Sequence, residues 1–133
     1  MKFSKVFKKV ASFLLVLISF VLFMLCMGSS WNKRTPKGGI NESMYVDINA
    51  SKQWINIYGR DLNNPVLLYL HGGPGSSTSE IDYAFTRKWA DIYTVVTWDQ
   101  RNCGKSYDKN QIDINLTKEI FMDDGKVLTE FIR

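Results

Sequence analysis

The chain has 133 residues, 45% hydrophobic and 23% charged, with a formal net charge of +4. That length holds one domain at most, and the balance excludes a wholly disordered chain. The positive charge excludes a nucleic-acid binder once it is located. Lys2, Lys5, Lys8 and Lys9 supply all of it, and from Trp31 onward 13 basic residues face 13 acidic ones. Displacing counterions from phosphates needs clustered positive charge. Cys26, Cys103 and the single histidine, His71, provide neither a disulfide framework nor a zinc ligand set. No metal or other cofactor is expected.

Residues 1–9 carry four lysines and no acid, and residues 10–27 are uncharged and mostly Leu, Val, Ile, Phe or Met. Crossing the hydrocarbon core takes roughly 18–20 apolar residues, whereas a cleavable signal has an apolar stretch of about 7–15. Residues 10–30 therefore predict a signal anchor rather than a cleaved signal peptide. Gly28, Ser29 and Ser30 keep cleavage, and hence secretion, as the alternative. The lysines ahead of the segment outweigh Lys33, Arg34 and Lys37 behind it, so the N-terminus is expected in the cytoplasm and the globular part on the outer face. The membrane is thus one expected partner. Residues 31–43 read as a short tether. Asn41, Asn49 and Asn115 each head an N-x-S/T sequon, of consequence only where exported proteins are glycosylated.

Residues 44–133 form the globular portion. Met44, Val46 and Ile48 alternate with Tyr45, Asp47 and Asn49, and residues 53–58 alternate again, which predicts a hairpin. A turn over 61–65 leads to the apolar run Val-Leu-Leu-Tyr-Leu at 66–70, the pattern of a strand covered on both faces. Ser77 and Glu80 have capping-box spacing, and Ile81, Ala84, Phe85, Trp89 and Ile92 mark the following helical face. Residues 93–98 form another buried strand. Leu116, Ile120, Phe121, Val127, Leu128, Phe131 and Ile132 lie on a helical stripe that is still running at Arg133. Strand, helix, strand is a βαβ unit with parallel strands. The fold class is α/β, with a sheet that this order of elements leaves open at one edge.

Ligands in open α/β sheets bind beyond the carboxyl ends of the strands. Both glycine-containing loops lie there: His71-Gly72-Gly73-Pro74-Gly75 after one strand, and Trp98-Asp99-Gln100-Arg101-Asn102-Cys103-Gly104-Lys105-Ser106 after the next. In this order and on these elements, the pair resembles the proline iminopeptidase branch of the α/β-hydrolases. The resemblance covers residues 44–133, about the first third of such an enzyme.

The resemblance implies a serine hydrolase that acts on N-terminal proline peptides or related small amides and esters. It makes the Gly73 N–H the oxyanion donor, with Gly72 beside it. Such donors stabilise the charge that acyl transfer builds on a carbonyl oxygen, and glycine lets the backbone approach closely. Pro74 lacks an N–H and stiffens the turn. The resemblance makes His71 a loop-positioning residue rather than the catalytic base. Gly75, Gly104 and Ser106 shape the loops, and Asp99 and Arg101 are placed to pair across the second turn. Asn102 stands where the family has glycine; asparagine tolerates positive φ. Cys103 reads as a packed small residue, with no histidine expected near enough to activate it.

Gly104-Lys105-Ser106 is not a phosphate loop, because Asp99 stands where the first glycine is needed. Nor does any G-x-S-x-G elbow occur, and no histidine follows His71. The expectation is a truncated hydrolase that does not turn over substrate on its own. The open sheet and unfinished stripe favour that reading over two others: a membrane-tethered pseudoenzyme or interaction module, and an assembly in which another chain supplies the missing strands.

Overall fold

The computed structural model describes residues 2–72, 75–111 and 115–133. Residues 2–34 and residues 35–133 form two separate compact units. The first is helix α1, Lys2–Asn32. From Lys5 to Asn32 it is long and apolar enough to cross a membrane, a property that signal sequences share. Near its end, the Arg34 guanidinium lies 4.9 Å from the centroid of the Trp31 ring.

In the second unit β1 (Ile40–Ile48) and β2 (Ser51–Gly59) form the expected hairpin, with β1 starting inside the segment read as a tether. β3 (Val66–Leu70), helix α2 (Tyr83–Trp89), β4 (Thr94–Asp99) and helix α3 (Lys118–Phe131) follow. The strand order is β1-β2-β4-β3. β4 pairs antiparallel with β2 and parallel with β3, so β3, α2 and β4 make the predicted βαβ unit. All six residues of β4 are buried.

The alternation of strand side chains sorts the residues between two faces. One face carries Val46, Ile48, Ile55, Val96 and Trp98, packed with Leu128 of α3. Complete burial of Leu128 contributes about 1.5–3 kcal/mol. On the other face Tyr69 stacks against Phe85 and Trp89 of α2, at centroid distances of 4.9 and 6.1 Å.

Two local expectations fail. The capping box at Ser77 is absent: α2 begins only at Tyr83, with Asp82 as its N-cap. Its inner side carries Asp82 and Thr86, while Ile81 and Ile92 are exposed. Polar partners across the sheet explain the rotation, because the Asp82 carboxylate accepts bonds from Asn56 and Thr97, each at 2.5 Å. β3 is also less covered than its apolar sequence implies. Val66 is 48% and Leu70 55% exposed, since β3 is an edge strand of the described sheet. A cleft of about 960 Å³ runs beside it, lined by Leu68, Leu70, Trp98, Phe121 and Met122.

The hairpin turn stores strain. Asn49 and Ala50 both have positive φ, 45° and 61°, between the paired residues Ile48 and Ser51. This is the two-residue turn for which Asn-Gly is preferred. An alanine there costs about 1–2 kcal/mol, against about 0.4–1 kcal/mol of added unfolded-state freedom when glycine replaces it. Ala50→Gly is expected to stabilise the unit by about 0.5–1 kcal/mol. The measurement is the urea midpoint; a lower midpoint would show that Ala50 is not strained.

Candidate functional site

The parallel pairing of β3 with β4 brings the two glycine loops to the same end of the sheet. His71 directly follows β3 and is buried. Its Nε2 accepts the backbone N–H of Gln100, just after β4, at 3.3 Å. The two loops are thereby tied at their roots. Gly72 is exposed and Gly75 has φ +81°. Gly73 and Pro74, on which the oxyanion and stiffening expectations fall, lie outside the described residues.

The Cys103 Sγ lies 3.1 Å from His71 Nε2, which corrects the expectation that no histidine is near this cysteine. A nucleophile does not result. Burial, and then the Asp99 charge, push the thiol up to about 11, and a bond with the Gln100 backbone only partly opposes this. The protonated thiol is a donor, and the Gln100 carbonyl lies 3.0 Å from it.

Asp99 and Arg101 do not pair with each other. Asp99 reaches both loops instead: its Oδ2 accepts the hydroxyl of Ser79, from the segment after β3, at 2.8 Å and the Lys105 N–H of its own loop at 2.9 Å. Its backbone carbonyl accepts the Ser106 hydroxyl, whose oxygen in turn accepts the Trp54 N–H at 2.7 Å. Ser106 thus caps the end of the β2–β4 ladder, where Trp54 is opposite Asp99. Gly104 has φ +50°, and a Cβ added there would run into the Asp99 carboxylate and the Ser77 side chain. Asn102 has φ +64°, so it adopts the left-handed backbone that glycine favours. Its side chain donates to the Gln111 carbonyl and accepts the Asp108 N–H.

Arg101 points instead to Asp124 of α3. Its Nε and one terminal nitrogen each donate to that carboxylate at 2.9 Å, a bidentate pair with side chains 7% and 0% exposed. The same terminal nitrogen reaches the carbonyls of Ile48 and Asn49. The amides of Asn49 and Gln53 donate to Asp124 at 2.9 and 2.7 Å. Burial alone would raise the Asp124 carboxyl, but the Arg101, Asn49 and Gln53 bonds outweigh it and hold the group below its ordinary value. The signal for Asp124 was present in the sequence: it stands four residues from both Ile120 and Leu128, an acid on the apolar stripe.

The Asn49 sequon is occupied by this network, since its amide nitrogen bonds Asp124. Among the described residues no cluster of three or more metal-binding side chains occurs.

Strand order, the βαβ unit and two loops at the carboxyl ends of β3 and β4 define the class: the globular unit has the α/β-hydrolase fold, matching the N-terminal portion of such proteins. Within that class its similarity is to the proline iminopeptidases. "Probable aminopeptidase YbaC" of Bacillus subtilis is 38% identical over 89 residues, 65% of this chain and 27% of that protein. The proline iminopeptidase of Neisseria gonorrhoeae is 34% identical over 88 residues, 64% of this chain and again 27% of the relative. Among solved structures, a proline iminopeptidase-related protein from Thermus thermophilus superposes with a TM-score of 0.60 at 26% identity, over 70% of this chain and 32% of that one. A haloalkane dehalogenase loop variant from Bradyrhizobium elkanii gives 0.58 at 22% identity, over 70% and 29%, and shares the fold. The chain therefore spans about a quarter of the length of these curated relatives. No family model matches it.

Proposed function

We propose that these 133 residues supply the oxyanion side of a serine aminopeptidase, an enzyme for N-terminal proline peptides or related amides and esters. Nucleophile, acid and catalytic base would come from residues outside them. One observation carries this reading: the His71–Gln100 bond ties the two motif loops together at the carboxyl ends of neighbouring parallel strands. There the Gly73 N–H, with Gly72 beside it, serves as the oxyanion donor. The aminopeptidase and iminopeptidase relatives support the substrate class. Helix α1 anchors the protein in a membrane with the globular unit outside, following the lysines that precede it.

The chain contains no G-x-S-x-G and no second histidine, so alone it is inactive on prolyl amides. The test is the coding DNA beyond the Arg133 codon, followed by assay of the longer product. A frame that continues, directly or after one frameshift, into a G-x-S-x-G segment and a later Asp and His is expected, and its product should release proline from prolyl amides. A stop codon with no such segment downstream would overturn the hydrolase reading.

A further inference from the structure

Two groups approach a single ring nitrogen in the buried cluster at the root of the loops. The Gln100 N–H lies 3.3 Å and the Cys103 Sγ 3.1 Å from His71 Nε2, while Nδ1 faces the Gly72 carbonyl at a long 3.5 Å. A backbone N–H can only donate, so Nε2 must present its lone pair. That leaves the ring proton on Nδ1, directed toward an acceptor. The opposite tautomer would set Nε2–H against the Gln100 N–H and the Nδ1 lone pair against the Gly72 oxygen, two repulsions in a buried place. The thiol, kept protonated by burial, has two outlets, Nε2 and the Gln100 carbonyl.

We propose that Cys103 is a positioning residue for the glycine loop: with the Gln100 N–H, its thiol holds the His71 ring as the Nδ1–H tautomer and fixes the loop's first residue. The role of the loop rests on the hydrolase reading above; the latch itself does not. The pair is not a catalytic dyad. Its sulfur holds a ring in place and attacks nothing. The arrangement explains why a buried cysteine stands in the loop after β4, where a small apolar residue would fill the space but offer no donor.

His71 is the only histidine, so its ring nitrogens assign themselves in a long-range ¹H–¹⁵N correlation spectrum of the full chain in detergent micelles. At about pH 8, where an ordinary imidazole is neutral, the wild type is expected to show a protonated Nδ1 and a bare Nε2. Cys103→Ala removes one donor to Nε2 and is expected to shift the tautomer ratio roughly fivefold toward Nε2–H. Cys103→Ser, which keeps a donor, is expected to restore the wild-type ratio. A wild type that is mainly Nε2–H overturns the proposal, as does an unchanged ratio in Cys103→Ala. If Cys103→Ala unfolds, the wild-type and Cys103→Ser spectra decide, and a mainly Nε2–H ring in Cys103→Ser counts against it. None of these readouts needs turnover. An intact latch in a protein whose longer product ignores prolyl amides would sink the hydrolase reading alone.

Discussion

Replacing Asp124 with alanine is expected to lower the stability of the globular unit by about 3–5 kcal/mol, the cost of breaking a buried ion pair from one side. Arg101 would keep its charge in a site where it is 7% exposed, and the amides of Asn49 and Gln53 would lose their shared acceptor. A small domain has only about 5–15 kcal/mol in hand, so the variant should be marginal at room temperature. Urea denaturation at neutral pH measures this; a loss below about 1 kcal/mol would show that water enters and solvates Arg101.

The pH dependence carries a definite sign. A carboxyl whose folded value is depressed stabilises the fold above its unfolded value, about 3.9 for aspartate, and the stabilisation fades as pH falls through the lowered folded value. Wild-type stability should therefore decline on acidification below about pH 4, and Asp124→Asn, already weaker at neutral pH, should decline less steeply over the same range.

Gly104→Ala is the second large effect, expected at about 2–4 kcal/mol destabilising. Two independent costs meet at this position. The backbone is left-handed at φ +50°, and the new methyl would press on the Asp99 carboxylate and Ser77. Asp99 cannot retreat freely, because it holds Ser79 and the Lys105 N–H and is itself buried. The expected result is a lower urea midpoint with an unchanged slope, meaning less stability in the same cooperative unit. A shift under about 0.5 kcal/mol, the range of ordinary surface changes, would mean that the loop opens without cost.

The hairpin, the βαβ unit and the placement of both motif loops were legible in the sequence because each depends on periodicity or on a glycine. Alternation at Met44, Val46 and Ile48 fixes a face, and an all-apolar run between two turns fixes a strand. The start of α2 was not legible. A capping box at Ser77 and Glu80 satisfies local rules, but Asp82 gains more from Asn56 and Thr97 across the sheet, and no local pattern records them. Asp99 and Arg101 misled for a related reason. They are neighbours in the chain and of opposite charge, whereas the chosen partners, Ser79 and Asp124, are brought near only by the fold. The one visible trace of Asp124 was an acid on an apolar stripe, and nothing local named its partner. His71 and Cys103 went unpaired in the sequence reading because only the parallel register of β3 with β4 carries one to the other.

The Asp124 network also sets an order of events during synthesis. The hairpin leaves the ribosome before α3, carrying the amides of Asn49 and Gln53. Their acceptor lies 75 and 71 residues further along the chain. Until α3 has been made, those amides and the later Arg101 lack the Asp124 carboxylate, and the core cannot close over Gln53 and Arg101 without stranding polar groups. The network in this unit thus stays open to water until α3 has been made. The apolar helix from Lys5 to Asn32 is complete long before that closing step.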